Sequence, residues 1–204
     1  MPRKIIGGAF LSMDGVMQAP GGPEEDPTGG FPYGGWLFSL FDEGLGNQVD
    51  SLFSQPFDLL LGRRTYDIFA AHWPQQTDEF GTLFNTIPKY VASRGAPELS
   101  WAGSTLLGPD LVAAVREIRD RHSKIKVVGS LNLVQTLLRE KLFDRIDLWV
   151  HPIVLGVGKT VFDGGAVPTN LALLQPPEVS PNGIVFLQYG LVDGVPATGD
   201  MTGH

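Results

Sequence analysis

The chain has 204 residues, of which 43% are hydrophobic, and this is enough for one domain with a sizeable core. Its formal net charge of −7 argues against a general electrostatic affinity for nucleic acid. The lack of cysteine excludes disulfides, thiolate metal sites and a cysteine nucleophile, and the four histidines lack ligand spacing, so no metal site is expected. No apolar run has the length of a signal peptide or membrane span, so we expect a soluble, cytoplasmic protein.

The N-terminal quarter of the chain predicts a strand, a long loop and a helix. Residues 4–11 are an apolar run typical of a central strand, which the Ser-Met-Asp-Gly turn at 12–15 ends. Residues 18–35 are rich in glycine and proline and predict either a functional lid or a mobile surface insertion. Residues 36–53 have helical spacing, with Asp42 at the border of the apolar face. A carboxylate there either lines a pocket, where burial would raise its pKa, or is a solvated edge residue.

Residues 57–66, FDLLLGRRTY, contain a strand, a glycine and a helix start in direct succession. The apolar run shows no polar alternation and therefore predicts a strand that is covered on both faces. Arg63, Arg64 and Thr65 follow Gly62 where a helix would begin. A helix start binds anions, and guanidinium groups hold phosphate bidentately. The stretch therefore favours a phosphate site, and the alternative is an ordinary strand–turn–helix unit with solvated arginines.

The middle of the chain repeats this alternation. A helix is predicted at 65–71, a helical turn at 80–84, strands at 89–92 and 104–107, and a helix at 109–121. Residues 126–131, KVVGSL, form a second strand–glycine–helix junction, now with Gly129. Two such junctions favour a ligand with two or more phosphates that lies across the strand ends. Neither junction is a GxGxxG or P-loop sequence, so these fingerprints are absent.

The C-terminal part predicts strands at 145–155, 171–174 and 184–191, with a Pro-Asn-Gly hairpin signal at 181–183. We therefore expect an antiparallel hairpin on a mostly parallel sheet. If the apolar strand at 184–191 lies at the sheet edge, it could pair across a homodimer. Residues 193–204 are polar and glycine-rich, so they predict a flexible tail after a domain of residues 1–192.

Four motifs give the chain a resemblance to a known family. They are AFLSMDGVM at 9–17, LLLGRRTYDIF at 59–69, VVGSLNLVQTLL at 127–138 and HPIVLGVGKTVF at 151–162. In this order they resemble the dihydrofolate reductase-like superfamily, and more closely its branch named for the RibD C-terminal reductase domain. The resemblance extends to about residue 192. It implies a three-layer α/β/α fold, with a mostly parallel central sheet and a C-terminal antiparallel hairpin, and an NADPH-dependent reductase acting on a small molecule.

The resemblance also implies where NADPH would be held. The implied contacts are the cofactor phosphates at Gly62, Arg63 and Thr65, the adenosine end and its 2′-phosphate at Ser93 and Arg94, the pyrophosphate at Gly129, Ser130 and Leu131, and the nicotinamide at the backbone of Ala9 and Phe10. Arg64 and Val128, next to these residues, are further candidates for cofactor binding. The phosphate and pyrophosphate positions among them coincide with the two glycine junctions derived from the residues alone.

The substrate stays open at this point. Asp42 is the match to the family's substrate-binding acid, and Asp14 is the alternative, although Asp14 also fits a turn-forming role. Trp36 and Phe38 either stack on a flat substrate ring or pack in the core. Residues 47–55, NQVDSLFSQ, lack the basic and histidine residues that anchor the substrate phosphate in the riboflavin-pathway enzyme. The hypotheses are a reductase of a small heterocyclic or carbonyl substrate, a non-catalytic nucleotide-binding module, and 5-amino-6-(5-phosphoribosylamino)uracil reductase.

Overall fold

A computed structural model describes residues 4–54, 56–121, 124–162 and 166–200. The strands are β1 (Lys4–Ser12), β2 (Asp58–Gly62), β3 (Lys89–Ala92), β4 (Ser104–Leu106), β5 (Lys124–Val128), β6 (Arg145–His151), β7 (Asn170–Leu173), β8 (Glu178–Val179) and β9 (Val185–Val192). The α-helices are α1 (Glu43–Phe53), α2 (Arg63–His72), α3 (Glu79–Thr86), α4 (Leu111–Arg121) and α5 (Leu131–Arg139). Short 3₁₀ helices span Thr28–Gly30, Trp36–Leu40 and Trp73–Gln75.

The strands form one sheet in the order β4-β3-β2-β5-β1-β6-β9-β7, and β8 pairs with β9. The pairs from β4 to β6 are parallel, and the pairs that involve β9 are antiparallel. This confirms the predicted fold class, a mostly parallel sheet with a C-terminal antiparallel part. The described residues contain no helix with the length and apolar character needed to cross a membrane.

Helices cover both faces of the sheet because strand side chains alternate between the faces. On one face Ile5, Leu60 and Val127 pack with the apolar sides of α4 and α5. On the other face the core divides into two clusters, one around Trp149 beneath α1 and one around Leu59 beneath α2 and α3. The central strand β2 is therefore buried on both sides, as its unalternated apolar sequence predicts, and β5 is buried at residues 125–127 although its sequence contains two lysines.

The prediction of one helix over residues 36–53 is wrong. The chain forms a 3₁₀ helix at Trp36–Leu40, and α1 begins only at Glu43. Asp42 interrupts the helical pattern because it is the N-cap, with extended backbone angles of −141° and 174°, and its carboxylate accepts a hydrogen bond from Leu45 N. As a consequence Phe38 and Phe41 are not on the buried face of α1; their exposed fractions are 61% and 47%.

The expected dimer edge is also corrected. The strand predicted at 184–191 corresponds to β9, which pairs with β6 on one side and with β7 and β8 on the other. β9 therefore has no free edge for a second copy. The outer strands of the sheet order are β4 and β7.

Candidate functional site

The two glycine junctions lie side by side at the carboxyl ends of β2 and β5. These strands pair in parallel, so the two turns leave the same edge of the sheet. The Ser130 hydroxyl joins them: Oγ accepts a hydrogen bond from Gly62 N at 2.8 Å and donates one to Thr65 Oγ1 at 2.7 Å. The Ser130 side chain of the second junction is thus bonded both to the turn and to the first helical turn of the first junction.

Both glycines are required by this close approach. A Cβ atom on Gly62 would lie 2.8 Å from Ser130 Oγ, closer than real contacts allow. Gly129 has a φ of +62°, a conformation that side chains disfavour, and a Cβ there would lie 3.1 Å from Thr65 Oγ1. Ser130 also has a positive φ, of 64°. Two consecutive residues of the second junction thus have left-handed backbone where the two junctions touch, and such backbone is common at binding sites.

The helices that start here have no side-chain caps. Gly62, the N-cap of α2, has no side chain, and the side chain of Ser130, the N-cap of α5, does not bond to the first turn of its own helix. The Ser130 hydroxyl is instead used by the other junction. Two neighbouring helix starts therefore present N–H groups and positive dipole ends toward the same edge, an arrangement that suits an anionic group with more than one charge.

Cationic side chains flank the first junction. Arg63 Nε donates to both carboxylate oxygens of Asp67, at 2.7 and 2.8 Å, while the side chain remains 40% exposed. Arg64 is exposed. The register Gly62↔Ala92 brings the residues after β3, Ser93 and Arg94, next to this junction, and Arg94 is exposed as well. The predicted cofactor residues of β2, β3 and β5 therefore lie together along one sheet edge.

β1 continues past the end of β5 and leaves part of its edge open. Its pairing with β5 ends at Gly8↔Val128, whereas its pairing with β6 continues to Ser12↔His151. At Ala9 and Phe10 no strand of the described chain pairs with β1 on the β5 side. The Ala9 side chain packs in the α4–α5 core, and the Phe10 ring lies 5.0 Å from that of Trp149. Backbone groups at these two positions are thus open beside the second junction.

The predicted raised pKa of Asp42 is wrong. Its Oδ1 accepts from Leu45 N at 2.8 Å and its Oδ2 from Asn182 N at 2.8 Å. The hydrogen bond from Leu45 leads the contacts that lower the pKa of Asp42 below its usual value, because they favour the charged form. Asp42 is only partly buried, so burial does not reverse this effect.

Asp14 has the turn-forming role that the sequence offered as one alternative. Its side chain accepts from Ser12 Oγ at 2.6 Å, and also from Leu155 N at 3.2 Å and Gly156 N at 2.7 Å. The Ser12 hydroxyl is the main cause of a lowered pKa at this carboxyl group. Asp14 therefore ties the turn after β1 to the chain that follows β6.

The two predicted ring-stacking residues have different surroundings. Trp36 is only 5% exposed, its Nε1 donates to Gln18 O at 2.9 Å, and its ring meets His151 edge-to-face at 5.1 Å. Phe38 is exposed, and it stacks on Phe41 at 6.1 Å. Of the two residues, Trp36 is therefore part of the core, and Phe38 has its ring exposed at the surface.

The glycine-rich segment 18–35 is tied to the chain after β6, which the sequence did not predict. Gln18 is buried, and its Nε2 donates to Asp26 O and Thr28 O at 2.8 and 2.9 Å. Its Oε1 accepts from Lys159 N at 3.0 Å, and the Lys159 ammonium group contacts Asp26 and Thr28. The backbone oxygen of Gln18 accepts the hydrogen bond from Trp36 Nε1, so the contacts of Gln18 also help to hold the Trp36 ring in place.

Sequence reasoning also missed the polar face of β6. Asp147, Trp149 and His151 are buried at alternate positions of this strand and therefore point to one face. The signal was present in the sequence, since Asp147, Trp149 and His151, whose side chains can all form hydrogen bonds, alternate with the apolar residues of the strand.

Comparison with known proteins identifies the family. The RibD C-terminal domain family matches residues 3–185. The chain is 25% identical over 197 residues to the Bacillus subtilis (strain 168) protein named Uncharacterized protein YyaP, covering 92% of this chain and 94% of that protein.

Two solved structures share the fold. A putative riboflavin biosynthesis protein from Shewanella sp. PV-4 has a TM-score of 0.70 at 18% identity, with 93% of this chain and 99% of that chain covered. The dihydrofolate reductase from Enterococcus faecalis, complexed with NADP(H) and RAB-propyl, has a TM-score of 0.58 at 13% identity, with 93% and 97% covered. The match to residues 3–185 agrees with the resemblance in the four motifs and with the sheet order, and the chain therefore belongs to the RibD C-terminal domain family.

Proposed function

We propose that this protein is an NADPH-dependent reductase that transfers hydride to a small heterocyclic or carbonyl substrate. The observation that carries the proposal is the Ser130 bridge, which locks two uncapped helix starts side by side at the edge of a parallel sheet. Family membership supports a reductase-type function, and the neighbour that was complexed with NADP(H) has the same fold.

The residues present fit a phosphorylated dinucleotide. Gly62 and Gly129 keep side-chain atoms away from the edge, and the N–H groups of the first turns of α2 and α5 would donate to the pyrophosphate oxygens. The exposed guanidinium groups of Arg64 and Arg94 lie near neighbouring strand ends, where either could pair with a 2′-phosphate.

The protein's task in this chemistry is to bind and orient. When bound, NADPH supplies the hydride, so the side chains need only hold the reacting rings together and exclude water. The open β5-side backbone at Ala9 and Phe10 would bind the nicotinamide end. Asp42, whose lowered pKa keeps it ionised at neutral pH, would accept a hydrogen bond from a substrate N–H group and would not supply a proton.

The test is titration of NADPH and NADH into the wild type and into Arg63→Ala, Arg64→Ala and Arg94→Ala, with Arg116→Ala on the exposed side of α4 as the matched control. A hydrogen bond to a charged group contributes about 1.5–3 kcal/mol, so at least one variant of the first three should bind NADPH roughly 10- to 100-fold more weakly. Its NADH affinity should change far less, since NADH lacks the 2′-phosphate.

Equal affinity of the wild type for the two cofactors would contradict this proposal. Arginine variants that lose both cofactors equally would also contradict it, because those arginines would then serve the shared pyrophosphate or the fold. Arg116→Ala should match the wild type for both cofactors.

A second candidate function is a nucleotide-binding module without turnover. It is favoured by the two candidate acids, since Asp14 and Asp42 are both occupied by backbone N–H groups. The loss of NADPH absorbance with a panel of pteridines, flavins and pyrimidines separates the two functions. Turnover of about 1 per second or more with any compound supports the reductase, whereas tight NADPH binding without turnover supports the module.

A further inference from the structure

An unusual set of unpaired polar atoms lies on one face of β6. In the part of the chain that the structure describes, five buried side-chain polar atoms lack a hydrogen-bond partner, and four belong to this strand. They are Arg145 Nε, Asp147 Oδ1, Trp149 Nε1 and His151 Nε2. The four residues occupy alternate positions, so all point toward the face that α1 and Trp36 cover.

This concentration requires an explanation. Leaving one buried donor or acceptor unsatisfied has a substantial cost, and native proteins contain few such groups. Arg145 and Asp147 bond to each other through Nη2 and Oδ2 at 2.7 Å, so Trp149 and His151 are the two residues of the set outside an ion pair. Such groups are usually satisfied by a bound molecule, either ordered water or a ligand.

The protonation state of the His151 ring follows from its hydrogen-bond neighbours. Its Nδ1 lies 3.0 Å from Trp149 O and 3.2 Å from Leu11 O. Carbonyl oxygens only accept, so Nδ1 carries the proton and Nε2 is a bare acceptor. Burial lowers the pKa of His151, while the Asp42 carboxylate opposes this, and the imidazole is neutral at neutral pH.

His151 lies on the strand beside β1, on the side away from β5, and its side chain is on the same sheet face as the Phe10 ring. His151 pairs with Ser12 at the carboxyl end of the parallel β1–β6 ladder. Its ring is in edge contact with Phe10 at 6.2 Å and with Trp36 at 5.1 Å. Phe10 is one of the two positions where the β5 side of β1 is open, so a ring bound over Phe10 would lie close both to that open backbone and, across the sheet face, to His151.

We propose that His151 is a specificity-determining residue whose neutral Nε2 accepts a hydrogen bond from a ring N–H or O–H group of the molecule to be reduced. Trp149 Nε1, two residues away on the same face, would donate to an acceptor on that molecule. This inference rests on the proposed function, because it names the side chains that recognise the substrate of that reductase. Entry of the ring requires the Trp36 indole to move off His151, and this indole is held by the hydrogen bond from its Nε1 to Gln18 O.

The experiment has two arms. In the first, diethyl pyrocarbonate modifies unprotonated histidine nitrogens at neutral pH, and mass spectrometry follows the peptides that carry His151 and the exposed His72. We expect His151 to be modified in the native protein. We also expect at least one of pterin, uracil and lumichrome, added with NADPH, to slow this modification at least tenfold while His72 reacts unchanged.

The second arm uses a matched pair of variants. Asparagine places its amide nitrogen near the position of Nδ1, so His151→Asn keeps the donor to Leu11 and Trp149 but removes the acceptor. Glutamine reaches the position of Nε2, so His151→Gln can restore the acceptor. The protecting ring compound should bind His151→Asn roughly 10- to 100-fold more weakly and His151→Gln less weakly, with NADPH affinity unchanged in both.

Native His151 that stays unmodified while His72 reacts would overturn the proposal, because Nε2 would then face a buried water or nothing. Modification that none of the three compounds slows would overturn it too, as would a ring affinity that His151→Asn leaves intact. Failure of the reductase proposal is distinguishable, because it would be seen as a lack of NADPH binding by the wild type, independently of whether the His151 peptide is modified.

Discussion

Replacing Ser130 tests whether one hydroxyl holds the two glycine junctions together. Ser130→Ala removes the acceptor of Gly62 N and the donor to Thr65 Oγ1. A neutral hydrogen bond contributes about 0.5–1.5 kcal/mol, so two lost bonds should lower the free energy of unfolding by about 1–3 kcal/mol. Ser130→Gly loses the same bonds but relieves the left-handed backbone at φ 64°, which costs a residue with a side chain about 1 kcal/mol. It should therefore be the more stable of the two variants.

Urea unfolding measures this order directly. With a denaturant dependence of about 2–3 kcal/mol per M, the midpoint of Ser130→Ala should fall by about 0.3–1.5 M. Ser51→Ala, at an exposed position of α1, is the control and should leave the midpoint unchanged. NADPH titration of the same proteins should show weaker binding by Ser130→Ala, because the two helix starts are no longer held in register. An unchanged midpoint for Ser130→Ala, or a Ser130→Gly protein less stable than Ser130→Ala, would refute the reasoning.

Three further predictions concern single side chains. Asp42 has a lowered pKa in the folded chain, so its stabilising effect is present above the unfolded pKa and is lost as pH falls through the folded value. In Asp42→Asn the urea midpoint of unfolding should therefore fall less steeply with decreasing pH in the acid range than it does in the wild type. Lys159→Met removes the contact with Asp26, so hydrogen exchange should accelerate in residues 18–31 and stay unchanged in α5; equal rates would show that Gln18 alone holds the segment. Burial lowers the pKa of Lys126 to about 7, so the unfolded chain binds more protons between that value and 10.5 and stability rises with pH there. Lys126→Met should therefore gain most over the wild type at or below neutral pH, and a gain that grows toward alkaline pH would contradict this.

Local sequence patterns were sufficient for the parallel part of the fold. The unalternated apolar run of β2 predicts a strand buried on both faces, and the structure has it in the centre of the sheet beside β5. Gly62 ends β2 and Gly129 directly follows β5, because a sharp turn with a close neighbour excludes a side chain. Such features depend on residues within a few positions of each other, and short-range chemistry is what a sequence displays.

The start of α1 could not be read from periodicity alone. The apolar spacing of residues 36–53 satisfies a helix throughout, and Phe38 and Phe41 fit the pattern. The Asp42 side chain bonds to Leu45 N and also to Asn182 N, 140 residues further along the chain. The second contact exists only after β9 and its preceding turn have packed against the start of α1, and it adds to the local Leu45 hydrogen bond that leads the lowering of the pKa of Asp42.

The sequence by itself determined the alternation of strands and helices, the two glycine junctions and, through its motifs, the family. The tertiary structure decided which of these parts meet: the Ser130 hydroxyl bridges residues 65 and 68 positions away, β9 is enclosed by β6 and β7, and β6 carries four unpaired polar atoms on one buried face. The physical reason is that backbone propensity and side-chain alternation act over a few residues, whereas strand neighbours, close approach and the pairing of buried polar groups depend on contacts between distant segments.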